Sequence, residues 1–210
     1  MITGLYRVPP HYSHSDEVAN IFGMKPSQLG AMNTHLNADE KITGYTIAVP
    51  AHDPQLVAQH GVVPLWYNIA LGELARGVAE VPGPVNNSRI VEYHRTTTLG
   101  ERNARLDETP WCSSFVNWCL TKSNVEGTDS AAADSWLSWG MEISQPVIGA
   151  ITVYIFDDGR HVGFHSYSYS NGDVILGGNQ KSSDRKVDQV NQSRWLSRSR
   201  VAYRWPTYNS

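Results

Sequence analysis

Two cysteines, Cys112 and Cys119, lie seven residues apart in a stretch that predicts a single helix. Two helical turns separate their backbones by about 10 Å, which is too far for a disulfide, so we expect two free thiols. The unpaired N–H groups and the dipole of a helix favour negative charge at its N-terminus, where a thiol can become a nucleophilic thiolate. Because the predicted helix begins at Cys112, the sequence favours Cys112 as a nucleophile and Cys119 as a core residue.

A cysteine nucleophile needs a base, and His161 is the strongest candidate among the eight histidines. It begins a predicted strand directly after a turn at residues 157–160. This places an imidazole at the rim of a sheet, where a helix N-terminus can meet it. His165 lies four residues further along and therefore points to the same face of the sheet. It is the reserve candidate, because a mid-strand position favours a packing role.

A third group must hold the imidazole in the correct tautomer. The turn signal Asn171–Gly172 predicts a hairpin whose second strand ends in Gly177–Gln180. The simplest register places Gln180 on the face that carries His161, and a bulge of one or two residues would place Asn179 there instead. The spacing supports a side-chain amide as the orienting group and leaves Asn179 and Gln180 as open alternatives.

Helices followed by an antiparallel sheet would position these groups, which predicts an α+β fold. Apolar residues recur at helical spacing from Leu65, and another helix is expected from Cys112. A further helix is predicted at 131–139, whereas residues 89–93 fit either a helix or a strand. β-Branched and aromatic residues predict strands at 148–156, 161–167, 173–176 and 200–204.

The first 50 residues predict a small module with helices at 16–22 and 26–32 and a strand at 45–49. Ser15 is a candidate N-cap of the first helix, and Pro26 fits the first position of the second. The element order resembles a LysM module, which binds the glycan of peptidoglycan or chitin. The resemblance lies in the segments Ile21–Met24, Gln28–Leu29, Met32–Asn33, Ile42 and Gly44–Pro50. The usual Gly-Asp-Thr-Leu opening is replaced by Tyr12–Asp16.

Prolines bracket residues 51–64, which predicts a linker between the module at 1–50 and a second domain at 65–210. Most of this second domain resembles small bacterial and phage amidases related to the CHAP and NlpC groups. The matching segments are Glu80–Gly83, Asn86–Ile90, Trp111–Cys119, Ala133–Leu137, His161–Phe164, Gly177–Gln180 and Tyr203–Pro206.

The amidase resemblance implies a papain-like fold, with Cys112 as the nucleophile at a helix N-terminus and His161 as the base on the facing sheet. It implies Asn179 as the third catalytic residue, and neither a metal nor an organic cofactor. Trp111 and Gln180 are the candidates for substrate binding. We therefore expect a cysteine peptidase or amidase that cuts an amide bond in the stem peptide or cross-link of bacterial peptidoglycan.

Other functions fit some of the same residues. One is a non-catalytic wall-binding protein in which the LysM-like part alone is active, although the complete Cys, His and Asn set argues against it. Another is papain-type deamidation or transfer on a protein, which the LysM-like module disfavours. A zinc amidase would need a cluster of His and carboxylate residues at ligand spacing, and the sequence shows no such spacing.

The formal net charge of −3 and the sequence pI of about 6.2 give no sign of a nucleic-acid-binding surface. No window has the apolar length that crosses a bilayer, and the first residues lack the basic start and apolar core of a signal peptide. We expect a protein made in the cytoplasm that acts in the periplasm or wall of a target cell, reached by type VI secretion or phage lysis. An effector that reaches sister cells would require a cognate immunity protein as partner.

Overall fold

The computed structural model describes residues 1–37, 39–157, 159–184 and 186–207, without the side chain of Val201. Their contacts divide the chain into two units, one of residues 1–65 and one that begins at Trp66. Both units combine helices with antiparallel strands, which agrees with the predicted α+β class. Each described helix is too short or too polar to cross a lipid bilayer.

The first unit begins with strand β1 (Thr3–Arg7), which the sequence pattern did not predict. It continues through helices α1 (Ser15–Ile21) and α2 (Pro26–Met32) to strand β2 (Thr46–Pro50), and β1 and β2 pair antiparallel. Side chains from the strands and both helices form the core of this unit, including the buried residues Tyr6, Val18, Leu29, Ile47 and Val49.

The predicted helices of the first unit are present, with one change at a helix end. Helix α1 begins at Ser15, so its N-cap is His14 rather than Ser15. The Glu17 carboxylate accepts the backbone N–H of His14 at 2.9 Å, which satisfies a donor that the helix itself leaves unpaired. Helix α2 has the predicted limits, with Pro26 at its first position.

Residues 51–64, expected to be a linker, belong to the first unit. They form helix α3 (Pro54–His60) and strand β3 (Val63–Pro64), which pairs with β1 and gives the sheet order β2-β1-β3. Pro54 opens a helix that Asp53 caps, because proline fits the first helical turn and has no N–H to leave unpaired. The linker prediction fails because both prolines lie within ordered elements.

The second unit contains three α-helices and the larger sheet of the described residues. The helices are α4 (Leu65–Ala75, which starts at the unit boundary), α5 (Ser88–His94) and α6 (Cys112–Lys122). The strands are β4 (Met141–Glu142), β5 (Ile151–Phe156), β6 (Gly159–Tyr169), β7 (Gly172–Lys181), β8 (Asp188–Leu196) and β9 (Arg200–Trp205). The sheet order is β4-β9-β5-β6-β7-β8, with antiparallel neighbours throughout.

The predicted hairpin between β6 and β7 is present, but Tyr169 pairs with Gly172, so its turn is Ser170–Asn171, one residue before the predicted Asn171–Gly172. Strand β6 begins at Gly159, so His161 is its third residue rather than its first. The turn predicted at 157–160 includes Asp158, which lies outside the described residues.

Three other segments need comment: one differs from its prediction, one fits either a helix or a strand by its sequence, and one was not predicted. The helix expected at 131–139 is a 3-10 helix over Ala133–Ser138, and the undecided segment 89–93 lies within α5. Strand β8 was not predicted, because its sequence is mostly polar and lacks an apolar alternation.

Helix α6 lies against β6 and β7 and covers one face of the sheet. The ring of Phe115 on α6 contacts that of Phe164 on β6, with centroids 6.1 Å apart. Because successive strand residues point to opposite faces, Phe164 and Val162 face the helix, whereas His161 and His165 face the other side.

Candidate active site

Cys112 is the first residue of α6, so its side chain lies in the N-terminal turn of the helix. The backbone N–H of Trp111, directly before it, donates to Asn179 Oδ1 at 2.9 Å, which fixes the start of the helix to β7. Cys112 is 6% exposed, and Cys119, two turns later, is fully buried. Both are free thiols, as predicted.

Backbone N–H groups surround the Cys112 thiol. Burial raises its pKa above the usual value, and hydrogen bonds from the N–H groups of Val162, Ser113 and Cys112 itself act against that rise. The net direction is upward, because burial outweighs the donors at the helix start, so the thiol of the resting protein is protonated. Burial also raises the pKa of Cys119, and the charge of Glu73 adds to the rise.

Strand β6 carries His161 next to Val162, whose N–H is one of the groups that oppose the rise in the pKa of Cys112. The pairing of β6 with β7 begins at Phe164 and Leu176, so His161 and Val162 lie beyond its end. The imidazole lies on the sheet face turned away from α6, because it alternates with Phe164, whose ring contacts the helix.

The imidazole of His161 is buried against an aromatic ring and a side-chain amide. It stacks on Trp195 with centroids 4.3 Å apart and an interplanar angle of 5°. A Cβ on Gly177 would lie 3.2 Å from His161 Nε2 and 3.3 Å from Gln180 Cδ, so the imidazole and the amide share one small space. Burial lowers the pKa of His161 to about 3, against an opposing effect of Gln180. The imidazole is therefore neutral and able to accept a proton.

His161 Nε2 has no well-formed hydrogen bond to any described residue. Cys112 at the start of α6 and His161 on β6 are therefore not joined by a hydrogen bond from the thiol to Nε2. Since Nε2 lies on the side of Gln180, Nδ1 is the nitrogen left for proton exchange with a nucleophile.

Gln180, rather than Asn179, is the amide beside the imidazole. Gln180 is 2% exposed, and its Oε1 accepts the indole N–H of Trp195 at 2.7 Å. Its Nε2 donates to the carbonyl oxygens of Asn191 at 2.7 Å and Gly177 at 3.1 Å. These contacts establish which end of the Gln180 amide carries the oxygen and which carries the nitrogen. They also occupy the polar atoms that were expected to bind substrate.

Asn179 is placed differently from the expected orienting residue. Its backbone has φ of 58°, in the left-handed region, and its side-chain oxygen accepts the Trp111 N–H. The pairing of β7 with β8 shifts register between Gly177 and Gln180, and this irregularity exchanges the roles of Asn179 and Gln180. The assignment of Asn179 as the third catalytic residue is therefore not supported by the geometry.

Trp111 is fully buried, so it cannot line a substrate groove as expected. Its ring lies against Gly178, where any Cβ would collide with it, and its indole N–H donates to Glu80 Oε1 at 3.1 Å. Glu80 Oε2 accepts the backbone N–H of Asp188 at 3.1 Å and so links Trp111 to β8. Trp111 positions the helix start by packing.

An open groove of about 620 Å³ borders Gln180 and Trp195. Within it Lys181 and Asp188 form an ion pair at 2.9 Å, and Arg194 has no carboxylate partner among the described residues. The groove therefore offers hydroxyl groups and charges of both signs. Its lining consists of Asn179, Gln180, Lys181, Ser182, Ser183, Asp188, Ser193, Arg194 and Trp195.

His165, the reserve candidate, belongs to a separate buried cluster. Its Nδ1 lies 3.6 Å from Asp173 Oδ1, and burial lowers its pKa while the charge of Asp173 opposes that change. Asp173 also accepts hydrogen bonds from the side chains of Tyr154, Ser168, Arg200 and Tyr203. Because the carboxylate is bonded on all sides by its neighbours, this cluster has the character of a structural network.

The first unit has a groove of about 720 Å³ beside helices α1 and α2. It is lined by His14, Ser15, Asp16, Glu17, Pro26, Ser27, Leu29, Gly30, Thr34, Leu36, Asn37 and Asp39. Most of these side chains are polar, which suits a hydroxyl-rich ligand such as a glycan.

Trp195 is the site residue that the sequence pattern did not single out. It lies on β8, which was not predicted, and only its place as a lone aromatic directly after the polar stretch 191–194 could have signalled it. Within the described part of the chain, no three or more His, Cys, Asp or Glu residues are grouped as metal ligands. In comparisons with known proteins, neither a family model nor a curated protein matches this chain.

Proposed function

We propose that the second unit is a papain-like cysteine peptidase or amidase that cuts an amide bond in the peptide part of bacterial peptidoglycan. The main support is the position of Cys112 in the first turn of α6, a helix that lies against β6, the strand that carries His161. A thiol, a neutral imidazole and an amide fixed beside that imidazole are the groups that acyl transfer through a thioester requires.

In the proposed reaction, His161 takes the proton of Cys112 as the sulfur attacks the substrate carbonyl. Burial raises the pKa of the thiol and lowers that of the imidazole, so the resting pair is neutral and proton transfer accompanies the attack. Substrate binding must then bring Sγ and Nδ1 into hydrogen-bond contact. The N–H groups of Cys112 and Ser113 can bind the oxyanion, and the protonated His161 returns its proton to the leaving amine before water releases the acyl group.

The groove beside Gln180 supports a peptide substrate that carries charges. Peptidoglycan stem peptides contain free carboxylates and amino groups. Arg194 offers a guanidinium for a carboxylate, and the Asp188 carboxylate offers a partner for an ammonium. The groove is bordered by Gln180 and Trp195, the residues that contact the His161 imidazole. A peptide bound there would lie close to Cys112.

The first unit would hold the glycan strand from which those peptides extend. Its order β1-α1-α2-β2 and its polar groove support a LysM-like role. A domain that binds glycan in the same chain as a domain that cuts peptides favours a wall substrate over a soluble protein.

Digestion of purified sacculi, followed by mass spectrometry of the released muropeptides, tests the reaction. The wild-type protein should produce a new carboxyl and a new amino end at one defined amide bond. Cys112→Ala should abolish this cleavage, whereas Cys119→Ala, the same substitution two turns further along α6, should retain it and destabilise the fold by about 1 kcal/mol. Cleavage by folded Cys112→Ala would refute the assignment of the nucleophile.

Expression in two compartments tests the target. The protein should be tolerated in the cytoplasm and lethal when fused to an export signal, unless Cys112 is replaced. Equal toxicity in both compartments would instead point to a protein substrate. Lethality of the exported protein without damage to the wall would also point to a protein substrate.

A further inference from the structure

We propose that Trp195 is a positioning residue for His161, with one part of its side chain covering the imidazole and another fixing the amide beside it. This role rests on the proposed function, in which His161 is the base. The two contacts come from different atoms of one indole, so they can be separated by substitution.

The first contact is the stack of the two rings. The Trp195 and His161 planes are nearly parallel, at 5°, and their centroids are 4.3 Å apart. The rings of Phe156 and Tyr154 lie against the same indole, with centroids at 5.5 and 5.1 Å, and hold it in place. An imidazole covered in this way cannot rotate freely, and water is excluded from one of its faces.

The second contact passes through Gln180. The Trp195 indole N–H donates to Gln180 Oε1 at 2.7 Å, while Gln180 Nε2 donates to the Asn191 carbonyl at 2.7 Å. With both ends of the amide bonded, its oxygen stays on the side of the indole. The same amide lies beside His161 Nε2 and opposes the effect of burial on the imidazole pKa, so an amide held in place favours a proton on Nε2 and leaves Nδ1 as the lone pair that can take a proton.

Simple core packing would not require the second contact, because a phenyl ring could fill much of the same space without any N–H donor. Trp195 is also only half-buried and borders the open groove, where a residue needed for packing alone would be less expected. The pair of contacts therefore indicates control of the imidazole's orientation and tautomer.

The test uses Trp195→Phe, which keeps a ring and removes the N–H, and Trp195→Ala, which removes both contacts. Trp118→Phe is the matched control, because it also removes an indole N–H hydrogen bond, to Glu92 at 3.0 Å, in another part of the unit. In each full-length variant, NMR of isotope-labelled histidine reports the tautomer and pKa of His161. Hydrolysis of sacculi gives kcat and KM.

Trp195→Phe should convert a single His161 tautomer into a mixture and lower kcat about tenfold, with KM changed less than twofold. Trp195→Ala should raise the imidazole pKa by at least one unit, because water then reaches the ring. Trp118→Phe should leave these values unchanged. If Trp195→Ala does not fold, the tautomer in Trp195→Phe decides.

A wild-type tautomer and pKa of His161 in folded Trp195 variants would overturn the positioning role, even if activity fell. Failure of the proposed function would look different. Sacculi would then stay intact with the wild-type protein, while the NMR signals of His161 still responded to Trp195.

Discussion

Strand β6 carries two buried histidines on one face, and their surroundings differ in kind. His165 lies beside Asp173, a carboxylate that accepts hydrogen bonds from four other side chains. His161 lies beside the neutral amide of Gln180 and under the ring of Trp195. A bonded carboxylate holds its neighbours in a fixed network, whereas a neutral amide supports an imidazole without supplying charge. The second arrangement leaves the imidazole free to change its protonation during a reaction.

The largest expected effect separates the two histidines by activity. His161→Ala should lower kcat by about 100-fold or more, because it removes the general base. His165→Ala should change kcat by less than about threefold and lower the free energy of unfolding by about 1–3 kcal/mol. Hydrolysis of sacculi and urea unfolding of both variants measure the two effects. A greater loss of activity in His165→Ala would reverse the assignment of the base.

The next effect concerns stability at the carboxylate cluster. Asp173→Asn should destabilise the protein by about 3 kcal/mol, because it leaves the half-buried Arg200 without its anionic partner and changes the acceptors of two buried hydroxyl groups. Urea unfolding at pH 7 measures the loss. The His161 signals in NMR spectra of the folded variant should stay as in the wild type. A shift of these signals would show that the two clusters are coupled.

The sequence predicts the secondary structure around the two histidines better than it predicts which side chains lie beside them. The α+β class, the helix that begins at Cys112 and the presence of a hairpin near Asn171 follow from local patterns of apolar and turn residues, although the turn lies one residue earlier than predicted. The placement of Asn179 and Gln180 does not, because it depends on a register irregularity that no local pattern specifies. The burial of Cys112 is also a property of the assembled fold, and it raises the pKa of the thiol, an effect that the helix position alone does not predict.

The histidines also predict how stability depends on pH. Burial lowers the pKa of His94, His161 and His165 in the folded protein, so the unfolded chain binds more protons below its own histidine pKa of about 6.5. The free energy of unfolding should therefore fall as the pH drops below about 6.5. The contribution of His161 should continue to fall towards its folded pKa of about 3.

Because its folded pKa lies far below 6.5, His161 contributes a slope of about 1.4 kcal/mol per pH unit in this range. His161→Gln should reduce the slope between about pH 6 and pH 4.5 by one proton, as measured by urea unfolding at several pH values. An unchanged slope in His161→Gln would mean that the imidazole is not buried in its neutral form.

The smallest expected effect distinguishes Asn179 from Gln180. Asn179→Ala removes the acceptor of the Trp111 N–H, at a cost of about 1 kcal/mol, and forces alanine into a left-handed backbone, at about 1 kcal/mol more. Asn179→Gly should avoid the loss of stability from the left-handed backbone but not the loss from the missing acceptor. Asn179→Asp should avoid most of both losses, because aspartate keeps an acceptor and tolerates this backbone conformation. Activity should fall only a few-fold in Asn179→Ala, because the start of α6 loosens while the imidazole keeps its support. NMR of His161 decides which of the two amides orients the imidazole. An altered His161 tautomer in Asn179→Ala would make Asn179 the orienting residue. An unaltered tautomer leaves that role to Gln180.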